Sequence, residues 1–211
     1  MSRLVERKYL ALLVSLIVLV VVFPLLRVAT ETRLLLDFLF SLVFLAALLV
    51  VFESNRSRVA ALLLGVPTLV GLWTGYLIPG IARLPLQVGF HALAALFFGF
   101  AIGVILRGIH REVGVSADSV YGAFCGYLLL GLAFAHVFCL LELLEPGSFR
   151  GAGFSSQLRD DRRHFLLVYF SFLTLTTVGY GDITPSSDAA RSLAMIEAIL
   201  GSSTSPSWLP S

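Results

Sequence analysis

The residues of this chain with the most distinctive chemical pattern lie in one short run, 176–182, in which glycines alternate with Val178 and Tyr180. A glycine-rich run can be a simple turn, or it can cradle a phosphate. A phosphate-binding loop follows a strand and is followed by a lysine, and neither feature is present. Cys125 and Cys139 would lie about 21 Å apart on a helix, too far for a disulfide. Since the rest of the sequence offers no nucleophile paired with a base and no cluster of metal ligands, this run is the candidate site and an enzyme is not expected.

The flanks of this run are equally distinctive. A short apolar stretch, residues 164–175, precedes it, and Ile183, Thr184 and Pro185 follow it. Together they resemble the selectivity filter of the potassium channel family with its flanks, and the resemblance covers residues 120–201. At about 1.5 Å per residue the preceding stretch reaches only about 18 Å, so it cannot cross a bilayer. It is therefore predicted to be a re-entrant pore helix.

The resemblance implies which groups would contact an ion. The carbonyl oxygens of Thr177, Val178, Gly179 and Tyr180, with the Thr177 hydroxyl, would replace the hydration shell of K⁺. Four chains around one axis would supply rings of these oxygens, so a homotetramer is expected. Gly179 and Gly181 would provide backbone angles that other residues resist. K⁺ is then the permeant ion, its metal ligands are backbone carbonyls, and no cofactor is expected.

Residues around the filter are expected to support it, namely Thr176, Asp182 and Tyr169. Many members of the family place tryptophans in the pore helix, and one of them hydrogen-bonds the filter aspartate. Here the corresponding residues are Tyr169 and Phe170, and we hypothesise that the phenol of Tyr169 bonds Asp182. Some bacterial members also carry a glutamate behind the filter. The matching residue here is Leu173, so this brace is expected to be missing.

The composition places the whole chain in a membrane. Of its 211 residues, 58% are hydrophobic and only 13% are charged, whereas soluble domains are about half apolar and about a quarter charged. A soluble enzyme is nearly excluded, and so is a disordered chain. The net charge of +2 is too small to suggest nucleic acid as a partner. The lipid bilayer is the expected surrounding.

Long apolar runs predict how the chain crosses that bilayer. Five are long enough to span about 30 Å, and they cover residues 9–26, 34–52, 59–81, 84–106 and 120–141. We predict an all-α membrane protein with four N-terminal transmembrane helices. A helix–re-entrant pore loop–helix unit follows, and its last helix is incomplete. The expected domains are a four-helix region over residues 1–111, a pore domain over 112–201 and an aberrant tail over 202–211.

The basic residues predict orientation and voltage response. Seven Lys and Arg lie in the N-terminus, the second loop and the fourth loop, against three in the first and third loops. This bias favours a cytoplasmic N-terminus, and the small size favours a prokaryotic plasma (inner) membrane. The fourth apolar run has Arg83 before it and Arg107 after it, with no arginine between them. A voltage sensor needs a row of arginines, so strong voltage gating is not expected.

The end of the sequence departs from the family pattern. Gly201 matches the hinge glycine of the family's inner helix by position. The residues after it, 202–211, are rich in serine and proline and do not resemble a membrane helix. We hypothesise that a frameshift produced this tail from a parent protein with a complete sixth helix.

Two functions remain open at this point. The first is a potassium-selective channel subunit that conducts K⁺ passively and is not strongly voltage-gated. The alternative is a non-conducting, truncated membrane protein, either defective or modulating the assembly of intact subunits. Ion flux and oligomeric state distinguish the two.

Overall fold

The computed structural model describes residues 8–25, 32–52, 58–77, 83–110, 116–151, 153–154 and 160–203. Helices dominate this part of the chain, as predicted, and two short strands accompany them. In chain order the elements are α1 (Lys8–Leu25), α2 (Thr32–Phe52), α3 (Arg58–Leu77), α4 (Arg83–Ile109), α5 (Ala117–Leu144), β1 (Phe149–Gly151), α6 (Asp160–Leu175), β2 (Ile183–Pro185) and α7 (Asp188–Ser203).

Helices α1 to α5 coincide with the five predicted apolar runs to within a few residues. Three of them contain segments long and apolar enough to cross a membrane, Leu34–Phe52, Leu84–Ile109 and Ala117–Leu144. The apolar segments of α1 and α3, Tyr9–Val22 and Arg58–Thr74, are shorter. The protein is therefore a membrane protein, and the arrangement of five crossings stays a prediction.

Packing divides the chain into two compact units, Met1–Leu130 and Gly131–Ser211, which we call the N-terminal unit and the C-terminal unit. The division falls inside α5, which contributes its first half to one unit and its second half to the other. The predicted boundary after residue 111 lies outside the described residues.

The N-terminal unit has an aromatic core. The ring of Phe44 in α2 stacks on Phe98 in α4 at 4.7 Å between centroids and contacts Phe97 at 5.5 Å. Gly65 in α3 lies against the same cluster, since a Cβ there would be 3.1 Å from the Phe97 ring. Many large apolar side chains on these helices are exposed in the single chain, among them Leu49, Val59 and Leu63. Such an outward apolar surface is typical of lipid-facing helices.

A different aromatic cluster fills the C-terminal unit. Phe138 from α5, Phe149 from β1 and Phe170 from α6 contact one another edge-to-face, with centroids 5.3 Å apart in each pair. Strands β1 and β2 pair antiparallel, with Phe149 opposite Pro185 and Gly151 opposite Ile183. This small sheet had no counterpart in the sequence prediction.

The last two helices differ slightly from their predicted limits. Helix α6 begins at Asp160, four residues earlier than predicted, and its length of about 24 Å is still too short to cross a bilayer. Helix α7 begins after Ser187, whose hydroxyl accepts a hydrogen bond from the Ala190 amide at 3.2 Å. Such a serine is a typical N-cap. The helix continues to Ser203, two residues into the segment assigned to the tail, and residues 204–211 lie outside the described part.

Candidate functional site

The candidate filter begins where α6 ends, in a defined helix-capping turn. The amide of Thr177 donates to the Thr174 carbonyl at 3.0 Å, and the amide of Val178 donates to the Leu173 carbonyl at 3.0 Å. This pair of bonds is the Schellman motif, which places the residue after the cap in a left-handed conformation. That residue is Thr177, with φ of 59°. The hydroxyl of Thr176 also bonds back to α6, at 2.6 Å from the Phe172 carbonyl.

Glycine is the usual residue at this left-handed position, because its backbone meets no Cβ. A β-branched threonine there costs about 1–2 kcal/mol. Strained residues of this kind cluster at functional sites. The sequence offered no signal for this feature, since the preference of threonine for extended backbone points the other way.

Left-handed angles recur at every second residue along the filter. Thr177, Gly179 and Gly181 have φ of 59°, 52° and 77°. In an ordinary strand, successive carbonyls point to opposite sides. Mirror-image angles at alternate residues turn the peptide planes so that successive carbonyls can face one side. The backbone of 177–181 is therefore suited to present a row of oxygens to a cation.

The side chains of the filter are open to the surroundings in the single chain. Val178 is 49% exposed and Tyr180 is 72% exposed. Apolar side chains exposed to this extent in a membrane protein can lie against lipid or against another chain. In a single chain, the side chains of Val178 and Tyr180 are therefore not enclosed by other residues.

The far end of the filter is attached to the small sheet. Asp182 precedes β2, and its Oδ1 accepts a hydrogen bond from the Ile183 amide at 3.1 Å. Gly151 in β1 lies directly against this backbone, because a Cβ at Gly151 would overlap the carbonyl oxygen of Asp182. The strand pair thus sets the position at which the chain leaves the filter.

A buried carboxylate holds β1 in place. Glu142, near the end of α5, is 1% exposed. Its two oxygens accept hydrogen bonds from the Gly147 amide at 2.9 Å and the Phe149 amide at 3.1 Å. The Ser148 carbonyl in turn accepts the Ser186 amide at 2.7 Å. The turn after α5, β1 and the start of α7 are therefore connected by backbone hydrogen bonds around one carboxylate, which the sequence reading did not single out.

The predicted supporting residues of α6 lie at different depths. Phe170 is buried in the aromatic cluster described above, while Tyr169 is partly buried beside that cluster. The Asp182 carboxyl group accepts a hydrogen bond from the Ile183 amide. The proposed bond between Tyr169 and Asp182 stays a prediction.

A buried glutamate does lie behind α6, but it comes from α7. Glu197 is fully buried, and its Oε1 is hydrogen-bonded to the hydroxyl of Ser171 in α6. In the sequence, Leu173 occupies the position where some family members have a glutamate, so no glutamate was expected behind the filter. A carboxyl group reaches the pore helix from a position 26 residues after Ser171, where the motif gave no reason to look.

Gly201 has a packing role in this structure. A Cβ at this position would overlap the carbonyl oxygen of Leu175, the last residue of α6. The glycine thus allows α7 to touch the end of the pore helix, and it lies within a continuous helix. Its predicted role as a hinge stays a prediction.

The C-terminal part of the chain matches a known protein family. Residues 123–208 match the model of a family described as ion channel. The matched segment contains α6, the filter and α7, and it extends into the segment assigned to the tail. No solved structure matches the chain.

The chain is also similar to a curated protein. The chain is 33% identical over 100 residues to Protein LctB of Bacillus caldotenax, and the alignment covers 46% of this chain and 70% of that protein. An ion channel domain, a membrane-spanning helical fold and the filter motif lie together in one polypeptide. The chain belongs to the potassium channel family.

Proposed function

We propose that this protein is a potassium-selective channel subunit that lets K⁺ cross the membrane passively. The observation that carries the proposal is the alternation of left-handed angles at Thr177, Gly179 and Gly181, directly after a helix too short to span. The carbonyls of Thr177, Val178, Gly179 and Tyr180 replace the water that K⁺ sheds on entry. The filter motif supports K⁺ as the ion.

The functional assembly is a homotetramer. One filter strand offers oxygens from one side only, while a dehydrated K⁺ needs them all round. Four copies around an axis supply complete rings. The exposure of Val178 and Tyr180 in the single chain supports this assembly, because their side chains, turned away from the axis, would then pack against neighbouring residues.

Orientation and voltage response follow from the basic residues. The bias of Lys and Arg toward the N-terminus and the second and fourth loops supports a cytoplasmic N-terminus in a prokaryotic plasma membrane. Helix α4 carries Arg83 and Arg107 at its ends and no arginine between them. With no row of charges to move through the field, the channel responds weakly to voltage.

Flux through reconstituted protein tests the proposal. Vesicles that contain the protein should take up Rb⁺, a close analogue of K⁺, and should exclude Na⁺. Gly179→Ala should abolish uptake, since alanine resists the left-handed angle that glycine adopts there. Gly89→Ala is the matched control, because a Cβ at Gly89 meets nothing within 4 Å.

Each outcome has a distinct meaning. Equal uptake of Na⁺ and Rb⁺ would contradict K⁺ selectivity. A protein that assembles but passes neither ion would favour the alternative, a non-conducting subunit that modulates assembly. Cross-linking in lipid, read as the number of linked chains, tests the tetramer separately from conduction.

A further inference from the structure

A single hydroxyl group connects three helices of the C-terminal unit. The Oγ of Ser171, in α6, lies 2.7 Å from the carbonyl oxygen of Gly131 in α5. The same oxygen is hydrogen-bonded to Oε1 of Glu197 in α7. All three groups are buried: Ser171 and Glu197 are each 0% exposed. The hydroxyl therefore stands between a backbone carbonyl and a carboxyl group, with no solvent to share.

The number of protons available decides how this chain of hydrogen bonds is arranged. A serine hydroxyl has one proton, and a backbone carbonyl has none to give. If Ser171 donates to Gly131, then the second bond needs a proton from Glu197. If Ser171 instead donated to an ionised Glu197, two oxygens without a proton between them would face each other at 2.7 Å. A neutral carboxylic acid satisfies both contacts, and a carboxylate satisfies only one.

The charge balance leads to the same conclusion independently. In the part of the chain that the structure describes, Glu197 makes no ion pair. Among the described residues, its carboxyl group is hydrogen-bonded to Ser171. Burying an unpaired carboxylate costs several kcal/mol, and such groups keep their proton instead.

The second oxygen of Glu197 fits the neutral form as well. Its Oε2 is buried and has no hydrogen-bond partner among the described residues. If Oε1 carries the proton, Oε2 is a neutral carbonyl oxygen. Such an oxygen is less costly to leave unpaired than an oxygen of a carboxylate.

We propose that Glu197 is a protonated carboxylic acid that positions the pore helix. Its proton is donated to Ser171, and the Ser171 proton is donated to Gly131, so α6 is held between α5 and α7. A Cβ at Gly131 would lie 2.8 Å from the Phe172 ring, so the glycine makes the close approach on the α5 side possible.

The hydrogen bonds from Glu197 to Ser171 and from Ser171 to Gly131, which we call the relay, lie close to the start of the filter. Glu197 and Gly201 are one helical turn apart on α7, and their partners Ser171 and Leu175 are one turn apart on α6. The amides of the filter bond to the same stretch of α6, at the Leu173 carbonyl. A shift of α6 relative to α7 would therefore move the start of the filter.

Infrared spectroscopy of the intact protein in lipid tests the protonation directly. The spectrum of the wild type should contain the carbonyl stretch of a protonated carboxylic acid, shifted by exchange into D₂O. This band should be missing from Glu197→Gln. The control is Glu145→Gln, which changes an exposed residue after the end of α5 and should remove carboxylate absorption. A wild type without the acid band, or a band that survives Glu197→Gln, overturns the proposal.

A flux measurement tests the positioning role, and it rests on the proposed channel function. Glu197→Gln keeps a neutral donor and should conduct within about twofold of the wild type. Glu197→Leu and Ser171→Ala remove the relay and should reduce Rb⁺ uptake about tenfold, as loss of a buried hydrogen bond can. Full conduction by Glu197→Leu would contradict the positioning role. If the wild type conducts nothing, the channel proposal fails while the infrared band still decides the state of Glu197.

Discussion

The two units of this protein differ in the contacts that stabilise the interior of each one. The core of the N-terminal unit is apolar, with Phe44, Phe97 and Phe98 at its centre. Its buried hydroxyls on Ser15 and Thr68 bond to carbonyls one turn earlier in their own helices. Its helices are also joined by the indole of Trp73, which donates to the Ser41 hydroxyl at 3.0 Å, and by the thiol of Cys125, which donates to the Tyr9 carbonyl at 3.3 Å. In the C-terminal unit, hydrogen bonds at Glu142, Ser148 and Ser171 instead connect the elements on either side of the filter.

The difference follows from the backbone structure of each unit, which is helical in one and includes a non-helical filter segment in the other. A spanning helix satisfies its own backbone, so neighbouring helices need only fit together. A filter uses backbone oxygens as ligands, and the non-helical segment that carries them needs partners from the surrounding protein. Polar contacts between elements have defined directions, whereas apolar packing tolerates small shifts. The hydrogen bonds at Glu142, Ser148 and Ser171 thus lie in the unit that contains the filter, where the positions of the backbone oxygens must be most precise.

The largest effect is expected when a glycine is replaced by alanine in each of the two units. Gly201→Ala should lower the free energy of unfolding by about 3 kcal/mol, because the new methyl group overlaps the Leu175 carbonyl and backbone must shift. Gly99→Ala, in α4, meets nothing within 4 Å and should raise stability by about 0.5–1 kcal/mol through helix propensity. Thermal unfolding of both variants in detergent measures the difference. Equal stability of the two variants would remove the contrast.

The next effect concerns the carboxylate that holds β1. Glu142→Ala leaves the buried amides of Gly147 and Phe149 without their acceptor and should destabilise the protein by about 2 kcal/mol or more. Glu145→Ala removes a similar charge three residues later, where the side chain is exposed. It should leave the unfolding temperature within about 1–2 °C of the wild type. A Glu142 variant as stable as the Glu145 variant would show that β1 is held by its apolar contacts alone.

A smaller effect compares two serines. Ser187→Ala removes the N-cap of α7 and should cost about 1 kcal/mol. Ser15→Ala removes a bond within one helix of the N-terminal unit and should change stability by less than about 0.5 kcal/mol, because such a bond adds little to a helix. The same unfolding experiment reads both. A larger loss at Ser15 would reverse the proposed division.

The smallest effect tests whether polar anchoring reaches the filter aspartate. If Tyr169 bonds Asp182, Tyr169→Phe removes about 0.5–1 kcal/mol of support, and currents should decline faster during sustained opening. Time courses of K⁺ current in planar bilayers measure this. Unchanged currents would mean that the Ile183 amide is sufficient for Asp182.

Much of this architecture could be predicted from the sequence, because its signals are local. Five apolar runs marked α1 to α5, and a short run before two alternating glycines marked α6 and the filter. The ends of α6 and α7 were displaced by up to four residues, since caps depend on a few atoms at each helix end.

The missed features depend on residues far apart in the chain. Glu142 and Glu197 were ordinary helix residues until folding placed them beside Phe149 and Ser171. The family pattern places a supporting glutamate at the position of Leu173, within the pore helix, whereas the glutamate of this protein comes from a separate helix. The strand pair was missed for the same reason, as three residues from a turn carry little sequence signal without their partner.

Thr177 shows how far a sequence can depart from backbone preference when a side chain is needed. Glycine, asparagine or aspartate would adopt its left-handed angle with less strain. If the Thr177 hydroxyl contacts the ion as proposed, such substitutions should raise stability and reduce ion selectivity. A library of variants at this one codon would rank in opposite orders for thermal tolerance and for discrimination between alkali metals. Substitutions meant to raise stability without loss of selectivity should therefore avoid this position.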